Sequence, residues 1–186
     1  MWESKDQVMR CQPGQESTDF AKPSGDDEWA KRGKLFFDNK QWLLAVQCYE
    51  KAGKKRPAAV ADAYYKREQA KRMPMKSNDK ARDNAFISAA DSFLGCARNT
   101  NDTVHRSKYL KLSAECYADG RNIHLAAEVY RQGGWLAEAS TLLRKLGRFD
   151  DIYDIITQSD SSAASAVPDL IRDVTRLFYV SEEKYV

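Results

Sequence analysis

The segment from Glu28 to Pro57 places its apolar and small residues at helical intervals. In "EWAKRGKLFFDNKQWLLAVQCYEKAGKKRP" these residues recur mostly three or four positions apart, which aligns them on one side of an α-helix. The longest step, nine residues from Phe36 to Ala45, contains the turn-prone Asp38-Asn39 pair. The pattern therefore predicts a helical hairpin whose two inner faces meet. The positions concerned are Trp29, Gly33, Phe36, Ala45, Tyr49, Ala52 and Pro57.

Helical periodicity continues along the chain from Asp26, and no segment has a convincing strand pattern. Turn residues divide this pattern: Gly53 follows the second helix, Pro57 suits the first turn of the third, and Asp119-Gly120 ends the fifth. We therefore predict an all-α protein of about nine helices. The predicted helices span about 27–38, 40–53, 57–73, 79–98 (capped by Asp79), 101–118 (capped by Asn101 or Asp102), 122–132, 135–146 and 148–158, with a last helix from Val167-Pro168.

The hairpin pattern recurs further along the chain. The segments "LAVQCYEKAG" (44–53) and "LAAEVYRQGG" (125–134) each have alanine, then tyrosine four positions later, then a small residue three further on. Small residues let two helices approach closely, while aromatic residues fill the spaces between turns. With shorter echoes at 89–97 and 146–156, the pattern indicates one helical unit stacked several times, a solenoid. Upstream of the second segment, Leu110, Ala114 and Tyr117 correspond to Trp29, Gly33 and Phe36.

The first unit resembles a tetratricopeptide repeat, because the seven spaced residues of the Glu28–Pro57 segment match that family's signature. It departs from the signature at Arg32, where the family has leucine before the glycine. Looser matches extend the resemblance over roughly residues 27 to 158. The resemblance implies a right-handed solenoid of antiparallel helical hairpins. In such a solenoid the first helix of each pair lines a concave surface that holds a partner's peptide or helix.

On that resemblance, residues of two helices lie on the concave surface and bind the partner. Phe37 is the sharper clue, since Phe36 already fills the buried position. A neighbouring helix that covers Phe37 would explain this residue equally well. The residues that the resemblance places on the surface are Lys34, Phe37, Asp38, Lys108, Lys111 and Glu115.

A second similarity concerns the later part of the chain, and it rests on the general run of residues rather than on a defined motif. The stretch from "FISAADSFLGCARN" to "LRKLGRFDDI" resembles the helical repeat region of very large, mainly fungal proteins, which carry a UvrD/Rep-type helicase-like ATPase elsewhere. This resemblance implies that the chain is a fragment or domain of a larger helicase-like protein. The ATPase would lie outside the chain, because no G-x-x-x-x-G-K-[ST] phosphate loop is present.

Composition favours an intracellular protein, cytoplasmic or nuclear. Residues are 42% hydrophobic and 31% charged, and no apolar run is long enough to predict a membrane span or a secretion signal. The four cysteines are isolated in sequence, which is typical of reduced thiols rather than of a disulfide framework. We predict a flexible lead-in or linker over 1–25, which has two prolines and two glycines, a helical repeat domain over 26–180 and a tail over 181–186.

The sequence offers no catalytic, metal or cofactor site. His105 and His124 are nineteen residues apart and lack cysteines or paired carboxylates at ligand spacing, so both are expected to be helix-surface residues. The acidic pairs at 26–27 and 150–151 fall at helix starts, where carboxylates favour the positive end of the helix dipole. We therefore expect no enzymatic activity, no bound metal and no cofactor.

A basic stretch runs from Lys51 to Arg82, with eleven Lys and Arg residues against three acidic residues, a local balance of +8. It is a candidate patch for nucleic acid or for an acidic partner. The alternative, which the spread of these residues around the helix favours, is that they solvate a loop and an outer helix face. The candidate residues are Lys54, Lys55, Arg56, Lys66, Arg67, Lys71 and Arg72.

These observations favour a protein-interaction scaffold that binds a peptide or helix of a partner protein. Two alternatives stay open: a nucleic-acid-contacting accessory domain of a helicase-like ATPase, and a purely structural spacer. Salt-sensitive binding to single-stranded nucleic acid distinguishes the accessory domain from the other two.

Overall fold

The computed structural model describes residues 25–74 and 80–158, with side chains described up to residue 154. Within these ranges the chain forms eight α-helices and no strand. The predicted lead-in, the Asp79 cap, the ninth helix and the tail lie outside the described residues. The helices are α1 (Asp26–Asp38), α2 (Trp42–Lys51), α3 (Lys55–Arg72), α4 (Lys80–Arg98), α5 (Thr103–Asp119), α6 (Ile123–Gln132), α7 (Leu136–Lys145) and α8 (Phe149–Gln158).

Two helix ends follow from residues that the sequence indicates, and the start of a third keeps its predicted proline. Gly53 follows α2 in the left-handed region, with φ of +63°. Asp102 caps α5, because its side chain accepts hydrogen bonds from the backbone N–H groups of Val104 and His105. Helix α3 begins at Lys55, two residues earlier than predicted, which still leaves Pro57 in the first turn.

The turn after α5 differs in detail from the prediction. The helix ends at Asp119, but Gly120 keeps a negative φ, and Arg121 instead takes the left-handed conformation with φ of +57°. Gly120 lacks a side chain for another reason: a Cβ atom there would lie 2.9 Å from the backbone oxygen of Asp83 in α4. The glycine therefore permits close approach between the end of α5 and the start of α4.

Each helix packs mainly against the helices that precede and follow it in sequence. Short connections between such neighbours favour antiparallel hairpins. The predicted close approach within the first hairpin is present, because a Cβ atom on Gly33 of α1 would lie 2.8 Å from Cδ1 of Tyr49 on α2. Ala45, Ala114 and Ala126, which occupy small positions of the repeat pattern, are fully buried.

The core has two parts. A smaller cluster joins α1, α2 and α3, and includes Ala45 and Tyr49. A larger cluster extends from Ala63 of α3 to Ile152 of α8, and its largest fully buried side chains include Phe93. Three free cysteines are buried in these helices: Cys48, Cys96 and Cys116.

Candidate partner-binding groove

Residues predicted on the concave surface lie on two helices, α1 and α5, that are separated in sequence. Lys34 and Asp38 on α1 are exposed, and so are Lys108 and Lys111 on α5. Phe37 and Glu115, in contrast, are half-buried because each contacts a neighbouring helix.

Phe37 belongs to a chain of aromatic rings that crosses the first helices. Its ring centroid lies 5.0 Å from that of Trp42 and 5.6 Å from that of Tyr64, both at edge-to-face angles. Trp42 stacks on Tyr64 at 4.7 Å, and Tyr64 meets Phe93 at 5.1 Å. Neighbouring helices therefore cover part of Phe37, as the sequence analysis allowed. The rest of the ring lines an open cavity.

That cavity, termed the groove below, has a volume of about 670 Å³ and is open to solvent. Ligand sites commonly have volumes of roughly 300–1,000 Å³. The first half of α3 and the second half of α4 supply most of its walls, and α1, α2 and α5 supply one aromatic residue each. Its lining residues are Phe37, Tyr49, Lys55, Arg56, Pro57, Ala59, Val60, Asp62, Ser92, Gly95, Cys96, Asn99, Thr100 and Tyr109.

Polar groups inside the groove are partly occupied by each other. Asp62 forms an ion pair with Lys66, which lies one helical turn further along α3. The distance between Lys66 Nζ and Asp62 Oδ2 is 2.8 Å. The same ammonium donates a hydrogen bond of 3.0 Å to the Ser92 hydroxyl on α4. Burial raises the pKa of the Cys96 thiol and of the Tyr109 hydroxyl above their ordinary values. Both groups therefore stay protonated and uncharged at neutral pH.

The predicted basic patch divides into two groups. Along α3, Lys66 pairs with Asp62, and Arg72 lies 3.6 Å from Glu68, so both charges have a carboxylate beside them. Arg67 donates to Glu115 at 2.8 Å. The second group, at the beginning of α3, is exposed and has no ion pair with a described residue; it consists of Lys54, Lys55 and Arg56. Lys71, near the end of α3, is exposed as well.

The Arg67–Glu115 ion pair links residues from the two different sites that the sequence suggested. Glu115 was placed on the concave surface and Arg67 in the basic patch, yet each is the other's charge partner across α3 and α5. Lys111 has its ammonium 5.9 Å from the Trp135 ring centroid on the following hairpin. These contacts join α3 to α5 and α5 to the residue that precedes α7, so they stabilise the packing of the helices.

The two histidines lie apart and in different surroundings. His105 Nδ1–H donates to Asp102 Oδ2 at 2.6 Å, next to the cap of α5. His124 lines a separate cavity of about 230 Å³ together with charged residues of α6 and α8. Across residues 25–74 and 80–158, no three histidine, cysteine, aspartate or glutamate side chains are grouped so as to hold a metal ion.

Of the site residues predicted from the sequence, Phe37, Lys55 and Arg56 line the groove, and the remaining walls were missed. Its volume depends on small residues at positions that face the cavity, including Ala59 on α3 and Ser92 and Gly95 on α4. Small residues clustered on two consecutive helices are a sequence signal for such a cavity. The signal predicts a cavity only when it is known that these residues of α3 and α4 face the same space.

Comparison with known proteins does not assign the groove to a family. No family model, no curated protein and no solved structure matches the chain. The described part of the chain also has no helix that combines the length and the apolar character needed to cross a bilayer.

Proposed function

We propose that this chain is a protein-interaction scaffold, a tetratricopeptide-like right-handed solenoid that holds a peptide or helix of a partner protein in the groove. The observation that carries the proposal is the groove itself, an open cavity of about 670 Å³ lined by five helices. Stacked helical hairpins form extended surfaces of this kind, which bind partners by shape.

The composition of the groove supports recognition rather than catalysis. Aromatic and aliphatic side chains such as Phe37 and Val60 share its wall with polar and charged groups, a combination that suits recognition of a partner. The one carboxylate among the described lining residues, Asp62, is engaged by Lys66, and the Cys96 thiol has a raised pKa, so neither group is prepared for proton transfer or nucleophilic attack. We propose that the chain acts without enzymatic activity, metal or cofactor.

A display selection tests groove binding directly. Randomised twelve-residue peptides are selected on the immobilised chain, and enriched peptides are then measured against Ala59→Trp. Ala59 is an exposed residue of α3 that lines the groove, so tryptophan there fills the cavity without entering the core. The matched control is Ala137→Trp, at an exposed position of α7 outside the groove.

We expect enriched peptides to lose at least about tenfold in affinity for Ala59→Trp and to bind Ala137→Trp as they bind the unchanged protein. Circular dichroism establishes that both variants are folded. Enrichment of no peptide, or equal binding to both variants, contradicts the proposal.

A second candidate function has one observation in its favour. The exposed cations Lys54, Lys55 and Arg56 suit contact with phosphates, as expected for a nucleic-acid-contacting accessory domain of a UvrD/Rep-type helicase-like ATPase. Such a domain would bind a labelled single-stranded oligonucleotide with an affinity that falls steeply as salt is added. The third alternative, a structural spacer, would bind neither peptide nor oligonucleotide.

A further inference from the structure

We infer that the segment held in the groove is an acidic peptide that inserts one large apolar side chain and pairs its carboxylates with Lys55 and Arg56. This inference rests on the proposed function, because it specifies the chemistry of the segment that the groove would bind. It follows from three features of the groove: its free charges, the helix position of those charges and its apolar wall.

The free charge of the groove is positive. The charged residues that line it within the described part of the chain are Lys55, Arg56 and Asp62. Asp62 is neutralised by Lys66 at 2.8 Å, whereas the two cations are exposed and have no ion pair with a described residue. A partner that carries carboxylates complements this charge, and a basic partner would be repelled by it.

The position of the two cations lowers the stability of the helix that carries them. Lys55 and Arg56 are the first residues of α3, where the positive end of the helix dipole repels cations. Among the eight described helices, α3 alone begins with two consecutive cations while lacking both an acidic first-turn residue and a side-chain cap. Residues that reduce local stability without a structural partner are typical of functional sites.

The apolar wall requires a matching side chain from the partner. Phe37, Val60 and Tyr109 contribute aromatic and aliphatic surface, while Ala59 and Gly95 leave space in front of it. A purely polar segment would leave this surface poorly covered, whereas an inserted leucine, methionine or phenylalanine would bury it.

Nucleic acid matches these observations less well than a peptide does. Neutralising a phosphate backbone needs several free cations along its path. Of the cations that continue along α3, Lys66, Arg67 and Arg72 are engaged by carboxylates of this chain, and Lys71 alone has no ion pair with a described residue. The free cations and the apolar wall together therefore favour an acidic peptide.

The peptides enriched by the display selection test the inference. We expect them to contain an excess of aspartate and glutamate around one large apolar residue. The affinity of one labelled enriched peptide is then measured by fluorescence anisotropy for the unchanged protein and for Lys55→Glu/Arg56→Glu. Binding should weaken by about tenfold or more in this double variant, and also with added salt. The matched control, Lys31→Glu/Lys145→Glu, changes the net charge equally at exposed positions outside the groove, so its affinity should change less than about twofold.

Folding of the double variant is measured by thermal denaturation. Carboxylates at the first two positions of α3 suit the helix dipole, so the midpoint temperature should stay the same or rise while binding is lost. A structural role for Lys55 and Arg56 would instead lower it.

The outcomes separate this inference from the proposed function. Enriched peptides without an acidic excess, or equal weakening in both double variants, would overturn the acidic partner while Ala59→Trp still shows that the groove binds. Failure to enrich any peptide would overturn the proposed function itself. Binding of a single-stranded oligonucleotide that Lys55→Glu/Arg56→Glu abolishes, without peptide enrichment, would assign these cations to nucleic acid.

Discussion

Gly33 and Gly95 are both glycines inside helices, but their surroundings differ. A Cβ atom on Gly33 would lie 2.8 Å from the Tyr49 ring, closer than van der Waals contact, whereas a Cβ atom on Gly95 would meet no heavy atom within 4 Å. Alanine restricts the unfolded backbone similarly at both positions. A comparison of the two substitutions therefore isolates the steric effect at Gly33.

We expect Gly95→Ala to stabilise the protein by about 0.5–1 kcal/mol, as alanine does within a helix. Gly33→Ala should destabilise it, with a difference between the two variants of about 1–3 kcal/mol, because Tyr49 must move. Urea denaturation measures both free energies of unfolding. Equal effects at the two positions would show that α1 and α2 do not cross closely at Gly33.

At this scale the sequence predicts a small residue where its spacing repeats, as it does at Gly33. It does not predict why Gly120 is small, since that residue makes room for the Asp83 carbonyl of a different helix. Contacts between residues distant in sequence leave no periodic signal. The role of Gly33 could therefore be predicted from spacing, whereas the role of Gly120 could not.

Among the helix ends, Asp102 offers a cap that can be titrated. The hydrogen bond from His105 and those from the backbone N–H groups of His105 and Val104 lower the pKa of the Asp102 carboxyl. Because the folded pKa is lowered, the stabilisation is present above the ordinary aspartate pKa of about 3.9 and is lost as pH falls through the folded pKa.

Asp102→Ala should lower the thermal midpoint at neutral pH, and its difference from the unchanged protein should shrink below about pH 4. Asp102→Asn is the control, since asparagine caps well and does not titrate. Thermal denaturation across this pH range gives the result. A difference that persists undiminished at acidic pH would show that the charge of Asp102 does not stabilise α5.

The ion pair between α3 and α5 connects two hairpins. Arg67 and Glu115 have side chains that are 19% and 35% exposed, whereas the neighbouring pair on α3, Arg72 and Glu68, is 69% and 42% exposed. Lower exposure weakens solvent screening, and removal of one partner leaves the other charge half-buried.

Glu115→Gln should therefore cost about 1–2 kcal/mol of unfolding free energy, against about 0–0.5 kcal/mol for Glu68→Gln. A double-mutant cycle with Arg67→Met measures the coupling between Arg67 and Glu115. A coupling no larger than that of the Arg72–Glu68 pair would mean that this ion pair does not fasten the two hairpins.

At the scale of elements, the sequence predicts all eight described helices, because their caps and turn residues act locally. The start of α3 shifts to Lys55, and α2 begins at Trp42 rather than near residue 40, since Lys40 adopts a left-handed φ of +59°. The groove could not be predicted in the same way. Five helices line it, and its volume depends on how α3 packs against α4 and α5.

Across the whole molecule, each helix packs mainly on its sequence neighbours. In such stacked arrays stability is a sum of nearest-neighbour terms, so the ends open more readily than the middle. We expect hydrogen exchange to be slowest in α4 and α5, which carry many of the buried residues of the larger core, and faster towards α1 and α8. Mass spectrometry of deuterium uptake measures this gradient. One common rate for all helices would show that the chain unfolds as a single cooperative unit.

The reactivity of the buried cysteines can report local unfolding of this molecule. Cys48, Cys96 and Cys116 lie on α2, α4 and α5, so the helix pairs α1–α2, α3–α4 and α5–α6 each carry one buried thiol. Burial raises the pKa of Cys116 to about 12, which keeps it unreactive until its surroundings open. In a Cys11→Ser background, the labelling rate of each thiol by an alkylating reagent would time the exposure of its own hairpin. The order in which the thiols react would trace the path by which the array comes apart.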